Sequence, residues 1–190
     1  MYIFPVFRFI PLQYQRNIED EEKYAMKMES LKELLEEELK DLYSAENQIL
    51  KALPKMVKKA SSPDLKKGFQ QHLEQTREHV ARLEEVCKEV GINPKGKKCK
   101  GMEGLLEEGK EWMEEDAEPE VMDAGLIAAA QHVEHYEIAG YGCVRTYAEL
   151  LGYEKSVKLL QQTLDEEKDT DKKLSEFADT INVEAEEEAA

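Results

Sequence analysis

An all-α fold is expected, a four-helix bundle made of two antiparallel hairpins joined by a long crossover, and three features of the sequence predict it. Alanine, glutamate, lysine and leucine are abundant while glycine and proline are few, a helical composition. Apolar residues recur at helical spacing through four long stretches. The first and second stretches are tightly joined, as are the third and fourth, whereas the middle connection is long. At 190 residues, 41% of them apolar, the chain suits one domain with a sizeable core plus tails.

Charge and cysteine usage narrow the class. A net charge of −16 argues against nonspecific nucleic-acid binding. The one short basic run, Lys95 to Lys100, reads as a solvated loop. Cys87, Cys99 and Cys143 form no Cys-x-x-Cys pair, which points to reduced thiols, a cytoplasmic setting and no cysteine-bound zinc. No apolar run approaches the ~20 residues that span a bilayer, so no membrane partner is expected.

Residues 1–28 stand apart. Met1 to Leu12 is apolar but broken by Pro5 and Pro11, with neither a basic lead nor a small-residue cleavage site, so it is a poor secretory signal. It reads as an arm outside a domain, residues 29–182, that begins near Glu29. The first helix is expected from Glu29 to Lys59, with Leu35, Leu39, Leu42, Ile49, Leu50, Leu53 and Val57 as its apolar stripe. Glu46 sits at the centre of that stripe, where leucine is expected. Pro54 predicts a kink, because it frees the carbonyl of Leu50.

Ser62-Pro63-Asp64 marks the second start: a capping serine, proline at the first helical position and an acid at the positive end. That helix runs to Val90 and stops at Gly91. Its core line is Phe69, Leu73, Thr76, Val80, Leu83 and Val90, with His72 and His79 one heptad apart on the flank. The crossover, residues 92–118, carries a short helix around Met102 to Glu115 that holds Trp112.

The third helix, Val121 to Leu151, places Leu126, Val133, Gly140, Val144 and Leu151 on one side. Glu137 falls in the same sector and Glu134 at its edge. A carboxylate buried there costs several kcal/mol (roughly) unless a basic side chain, a proton or a metal ion compensates it. Gly152 ends this helix. The fourth runs from Lys155 to Thr180, with Leu159, Thr163, Thr170, Leu174, Phe177 and Ile181 inward and Glu167 near its middle. Residues 183–190 read as an acidic, disordered tail.

The two hairpins repeat at a constant offset of 91 residues: Glu46 matches Glu137, Leu73 matches Leu164 and Leu83 matches Leu174. The same offset pairs Thr76-x-x-His79 with Glu167-x-x-Thr170. One long crossover between two tight hairpins is the ferritin-like arrangement, and di-iron and di-manganese bundles of that kind take one Glu from each of two helices and Glu-x-x-His from each of the others. Residues at i and i+3 project inward together, carboxylates bridge and neutralise two cations, and a neutral imidazole holds each metal at one end. The expected ligands are Glu46, His79, Glu134, Glu137 and Glu167. Thr76 and Thr170 stand where a Glu and a His belong, so the set looks depleted, with His72 or Asp171 as substitutes. His135 points away from Glu137 and is not a ligand.

Leu39-Lys-Asp-Leu-Tyr-Ser-Ala-Glu-Asn-Gln48, Met102-Glu-Gly-Leu-Leu-Glu-Glu108, Asp123-Ala-Gly-Leu-Ile-Ala-Ala-Ala-Gln-His-Val-Glu-His-Tyr-Glu-Ile-Ala-Gly-Tyr-Gly142 and Glu166-Glu-Lys-Asp-Thr-Asp171 resemble the bacterial YciE/YciF family of ferritin-like proteins. The likeness covers residues 30–182, all four helices and the crossover. It implies a stress-associated, dimeric ferritin-like protein, and carries over Glu46, Glu134, Glu137, Glu167 and His79. The Glu134-x-x-Glu137 pair is also similar to the third-helix pair of rubrerythrin, but no rubredoxin-like Cys-x-x-Cys module follows. The expected cofactor is iron, or manganese or zinc, at one or two ions per subunit. The expected function is a metal-binding protein, as a peroxide or dioxygen oxidoreductase in stress response. The alternative is a non-catalytic stress or interaction protein with a structural metal or a protonated carboxylate network. Tyr43 and Tyr136 are expected on bundle seams, and a homodimer could pair through Trp112, the crossover helix and the apolar arm.

Overall fold

In a computed structural model, residues 28–187 are described, and five helices make up the architecture among them. They are α1 (Leu31–Lys59), α2 (Pro63–Val90), α3 (Lys100–Glu114), α4 (Pro119–Leu150) and α5 (Glu154–Glu187). The expected arm at residues 1–28 lies, apart from Met28, outside the described residues. α1 packs on α2 and α4 on α5, α2 meets α5 and α1 meets α4, and the crossover helix α3 lies against α4 and α1. This is the ferritin-like four-helix bundle expected from the loop lengths.

The helix ends follow the sequence signals. Ser62 caps α2 by accepting the Leu65 amide, Pro63 opens the helix, and Gly91 closes it at φ 86°, a left-handed conformation suited to glycine. Gly152 turns α4 into α5 at φ 80°. Pro54 lies inside α1, which continues to Lys59. Two ends were stabilised from elsewhere in the fold, beyond what local patterning shows. Asp123 of α4 accepts the Ser61 and Ser62 amides at 2.8 and 2.6 Å, and Glu89 of α2 accepts the Ser156 amide at 2.7 Å.

α5 does not stop at Thr180. It continues through Glu187, so the first residues of the expected disordered tail are helical. Ile181 is buried and keeps the inner stripe going, and Ala185 and the glutamates beside it favour helix.

Two apolar clusters fill the bundle. One gathers Ile49, Leu53, Phe69, Leu126, Val133 and Leu174. The other gathers Leu39, Leu42, Leu83, Val144, Leu160 and Leu164. Along α2, α4 and α5 a buried polar stretch separates the residues of one cluster from those of the other: His72 to His79 on α2, Glu134 and Glu137 on α4, Glu167 and Thr170 on α5, while on α1 Glu46 lies between Leu42 of one cluster and Ile49 of the other. Among the described residues no helix is long and apolar enough to cross a membrane.

Candidate metal centre

Each long bundle helix delivers acid or imidazole to the polar layer because its apolar stripe continues through it. On α1, Glu46 follows Leu39 and Leu42 on the inward face, and it is fully buried. On α4, Glu134 and Glu137 lie one turn apart on the inward face and are equally inaccessible. Gly140 lets α4 approach closely beside them, since a Cβ there would come within 2.8 Å of Leu42 Cδ2. Glu167 of α5 and His79 of α2 are both buried completely. All five residues expected as ligands therefore converge.

Their donor atoms fall into two overlapping groups. Glu46, His79 and Glu167 form one, and His72, Glu134, Glu137 and Glu167 form the other, with the ligand atoms of each group within 4.8 Å of one another. Glu167 is common to both. His79 Nδ1 lies 2.9 Å from Glu167 Oε1 and 3.5 Å from Glu46 Oε1, and His72 Nε2 lies 3.1 Å from Glu134 Oε1. Yet His79 Nδ1, His72 Nε2, Glu46 Oε2, Glu134 Oε2 and both carboxylate oxygens of Glu137 and Glu167 have no hydrogen-bond partner. Buried polar atoms that crowd together without bonding one another are costly alone and suit a cation between them. The residues present fit metal ions on this ground.

His72 corrects the sequence reading. It lies on the core line of α2, with 4% exposure, and not on the flank. Glu134 of α4 and Thr170 of α5 meet its two ring nitrogens, which the period of a single helix does not reveal. Of the two substitutes expected, His72 is the one whose ring nitrogen lies among the inward acids. Asp171, the other substitute, stays half-exposed; it faces Gln131 at 3.3 Å and His135 at 3.3 Å. His135 is exposed, as its angle predicts. Thr76 donates back to the His72 carbonyl at 2.8 Å and does not replace a carboxylate.

Behind the inward donors stand groups that fix them. His79 Nε2 lies 2.9 Å from Glu166 Oε2, and Arg82 grips the same carboxylate with both terminal nitrogens at 2.7 and 3.0 Å. Thr170 Oγ1 is 3.5 Å from His72 Nδ1. Tyr141, fully buried, donates its hydroxyl to Glu46 Oε1. Sequence reading missed Tyr141, although it follows Glu137 by one turn on the same face. Tyr43 and Tyr136 instead turn to Glu84 at 3.0 Å and Asp41 at 2.6 Å, on the seams.

The electrostatics are those of a site crowded with acid. Burial, reinforced by Glu46 and Glu167, holds the Glu137 carboxyl well above the usual carboxylate range. Burial and Glu167 do the same to Glu134. Burial also raises Glu46, against the pull of His79. For His79, burial favours the neutral ring, but the Glu167 and Glu46 carboxylates outweigh it and push the imidazole up to about 10. His72 moves the other way, lowered by burial. Without a cation, burial favours the protonated forms of Glu46, Glu134 and Glu137.

The chain is similar over most of its length to proteins already known. A family model described as a domain of unknown function, DUF892, matches residues 30–187. Protein YciF of Escherichia coli strain K12 is 46% identical over 166 residues, which cover 86% of this chain and all of that protein. The crystal structure of the E. coli stress protein YciF superposes with a TM-score of 0.79 at 45% identity, covering 81% of this chain and 98% of that one. YcfI of Rhodopseudomonas palustris follows at a TM-score of 0.77 and 42% identity, over 80% of this chain and 97% of that one. A protein of Xanthomonas campestris, 19% identical with a TM-score of 0.65, shares the fold. Both the sequence match across all five helices and the structural superposition therefore make this chain a member of the DUF892 family, the family of YciF.

Proposed function

We propose that the protein binds a pair of metal ions, iron or else manganese or zinc, in the polar layer between its two apolar cores. Glu46 and His79 would hold one ion, His72, Glu134 and Glu137 the other, and Glu167 would bridge them. The observation that carries this reading is the set of buried, unbonded donor atoms on four helices, led by both oxygens of Glu137. A redox-active pair bound there would supply the two electrons that break an O–O bond, which suits peroxide or dioxygen as the substrate.

The surrounding residues support that role by pre-orienting the donors. The Glu166–Arg82 pair takes the Nε2 side of His79, which leaves Nδ1 facing inward. Thr170 does the same for His72, and Tyr141 occupies one oxygen of Glu46 so that Oε2 is left for a cation. Loading a divalent ion displaces protons from Glu134 and Glu137, so affinity rises with pH. The homodimer expected from the sequence belongs to this proposal; Trp112 on α3 is 55% exposed and suits a seam.

A second reading keeps the layer protonated and non-catalytic, favoured by the contact of His79 with Glu46 and Glu167 as an internal ion pair. Elemental analysis of anaerobically purified protein, followed by stopped-flow reaction with peroxide, separates the two. The proposal expects up to two ions per chain, lost in Glu137→Ala, and accelerated peroxide consumption. Metal without turnover leaves a structural site; unchanged metal content in Glu137→Ala overturns the ligand assignment.

A further inference from the structure

A half-enclosed cavity of about 230 Å³ opens between the helices on the His72 side of the polar layer. Ile49, Leu53, Met56, Phe69, Leu174 and Phe177 form its walls. Its inner end is polar: Glu134, whose Oε2 is buried and unbonded, and His72. Its rim is charged, with exposed Lys67 and Lys173 facing one acid, Asp64. The pocket thus runs from solvent, through hydrocarbon, to a face of the candidate metal centre. Gly68 belongs to its lining, and Phe177 rests on it, for a Cβ there would lie 2.9 Å from the ring.

Such a cavity discriminates by chemistry. Apolar walls keep water out and accept hydrocarbon; a dry engineered cavity of about 150 Å³ holds benzene, so this one has room for a longer chain. The two lysines make the mouth cationic in a protein whose net charge is −16, a local reversal that favours an anionic head. We propose that the pocket binds a medium-chain aliphatic carboxylic acid, its carboxylate at Lys67 and Lys173 and its chain running inward to Glu134 and His72. The metal reading above gives this placement its purpose, because the end of the chain then meets the reactive ions; occupancy of the pocket itself needs no metal.

Isothermal titration of metal-free protein with hexanoate, octanoate and decanoate tests the pocket, with decanol and decylammonium as head-group controls. Binding is expected to tighten about fourfold per added methylene until the chain fills the cavity, the factor equivalent to ~0.8 kcal/mol. Decanoate should bind at least tenfold more tightly than decylammonium. Ala130→Phe, which plugs the pocket from α4, should abolish binding, and Ala52→Phe does the same from the α1 wall should the first variant fail to fold. Lys173→Gln should weaken decanoate but not decanol. No chain-length dependence, or decanoate binding that survives both plugs, overturns the site; equal affinity for decylammonium overturns the anionic head. Cobalt loading with and without decanoate keeps the two proposals apart. A cobalt spectrum that shifts with decanoate supports both. Decanoate binding in protein that takes up no cobalt sinks the metal reading alone, and cobalt uptake without decanoate binding sinks the pocket alone.

Discussion

Glu137 shows at the scale of one residue what a buried, unbonded acid does to stability. Its carboxyl is buried without a hydrogen bond, and burial together with Glu46 and Glu167 favours its protonated form. Glu137→Gln preserves the shape and removes the ionisable group. Metal-free Glu137→Gln should therefore unfold at or above the wild-type temperature near neutral pH. The rise in unfolding temperature that the metal gives the wild type should vanish in the variant, as calorimetry with and without the ion would reveal. Glu46 and Glu137 were legible in the sequence because each interrupts an apolar stripe where a charge has no bland explanation. His72 was legible only as one of two substitutes, beside Asp171, and Tyr141 was not legible at all. An imidazole or a phenol at the edge of a stripe is equally at home on a seam, and only the neighbouring helices decide that these two face the acids while Tyr43 and Tyr136 do not.

At the scale of elements, the hairpins are tied by hydrogen bonds between distant parts of the chain. Asp123, 2% exposed at the start of α4, accepts two amides at the head of α2. Asp123→Ala leaves both donors without their partner, a loss of about 1–3 kcal/mol. Chemical denaturation should show that loss while metal content stays at the wild-type level, because Asp123 lies outside the donor groups. A fall in metal content equal to that of Glu137→Ala would mean that the helix end and the centre are not separable. The helix starts and stops at Ser62-Pro63 and Gly91 were readable because capping is local chemistry. The extent of α5 was read short: Ile181 already stood on the expected inner face, but the acidic run after it reads as tail, and the helix continues through it to Glu187.

At the scale of the whole molecule, an acid layer divides the two apolar cores, and its protonation governs stability. Glu46, Glu134 and Glu137 have folded values above the ordinary 4.5, and His79 rises from 6.5 to about 10. A group raised on folding stabilises fully below its unfolded value and loses that contribution as pH climbs through its folded one. All four act in the same direction, and His72, lowered by burial, opposes them only below its ordinary 6.5, so the metal-free protein should lose stability as pH rises from about 6.5 toward 10. The proposed metal binding would reverse the trend, since the bound state needs the deprotonated acids. The gap in unfolding temperature between loaded and stripped protein should widen from pH 5.5 to pH 8, on the order of one proton-linked step per displaced proton. A gap that narrows with pH would contradict proton displacement from the centre.

The order and pairing of the helices, the inward acids Glu46, Glu134, Glu137 and Glu167, and the capping signals were fixed by the sequence itself, since periodicity, loop length and local hydrogen bonding act within a few residues of one another. Which donors meet was decided by tertiary packing. His72 joins Glu134, Tyr141 reaches Glu46, Glu166 and Arg82 back His79, and a cavity opens beside them only when four helices are brought to a common depth. The physical reason is that a helix's sequence defines the angle at which a side chain leaves its axis, while the rotation and height of the neighbouring helices set what that side chain meets.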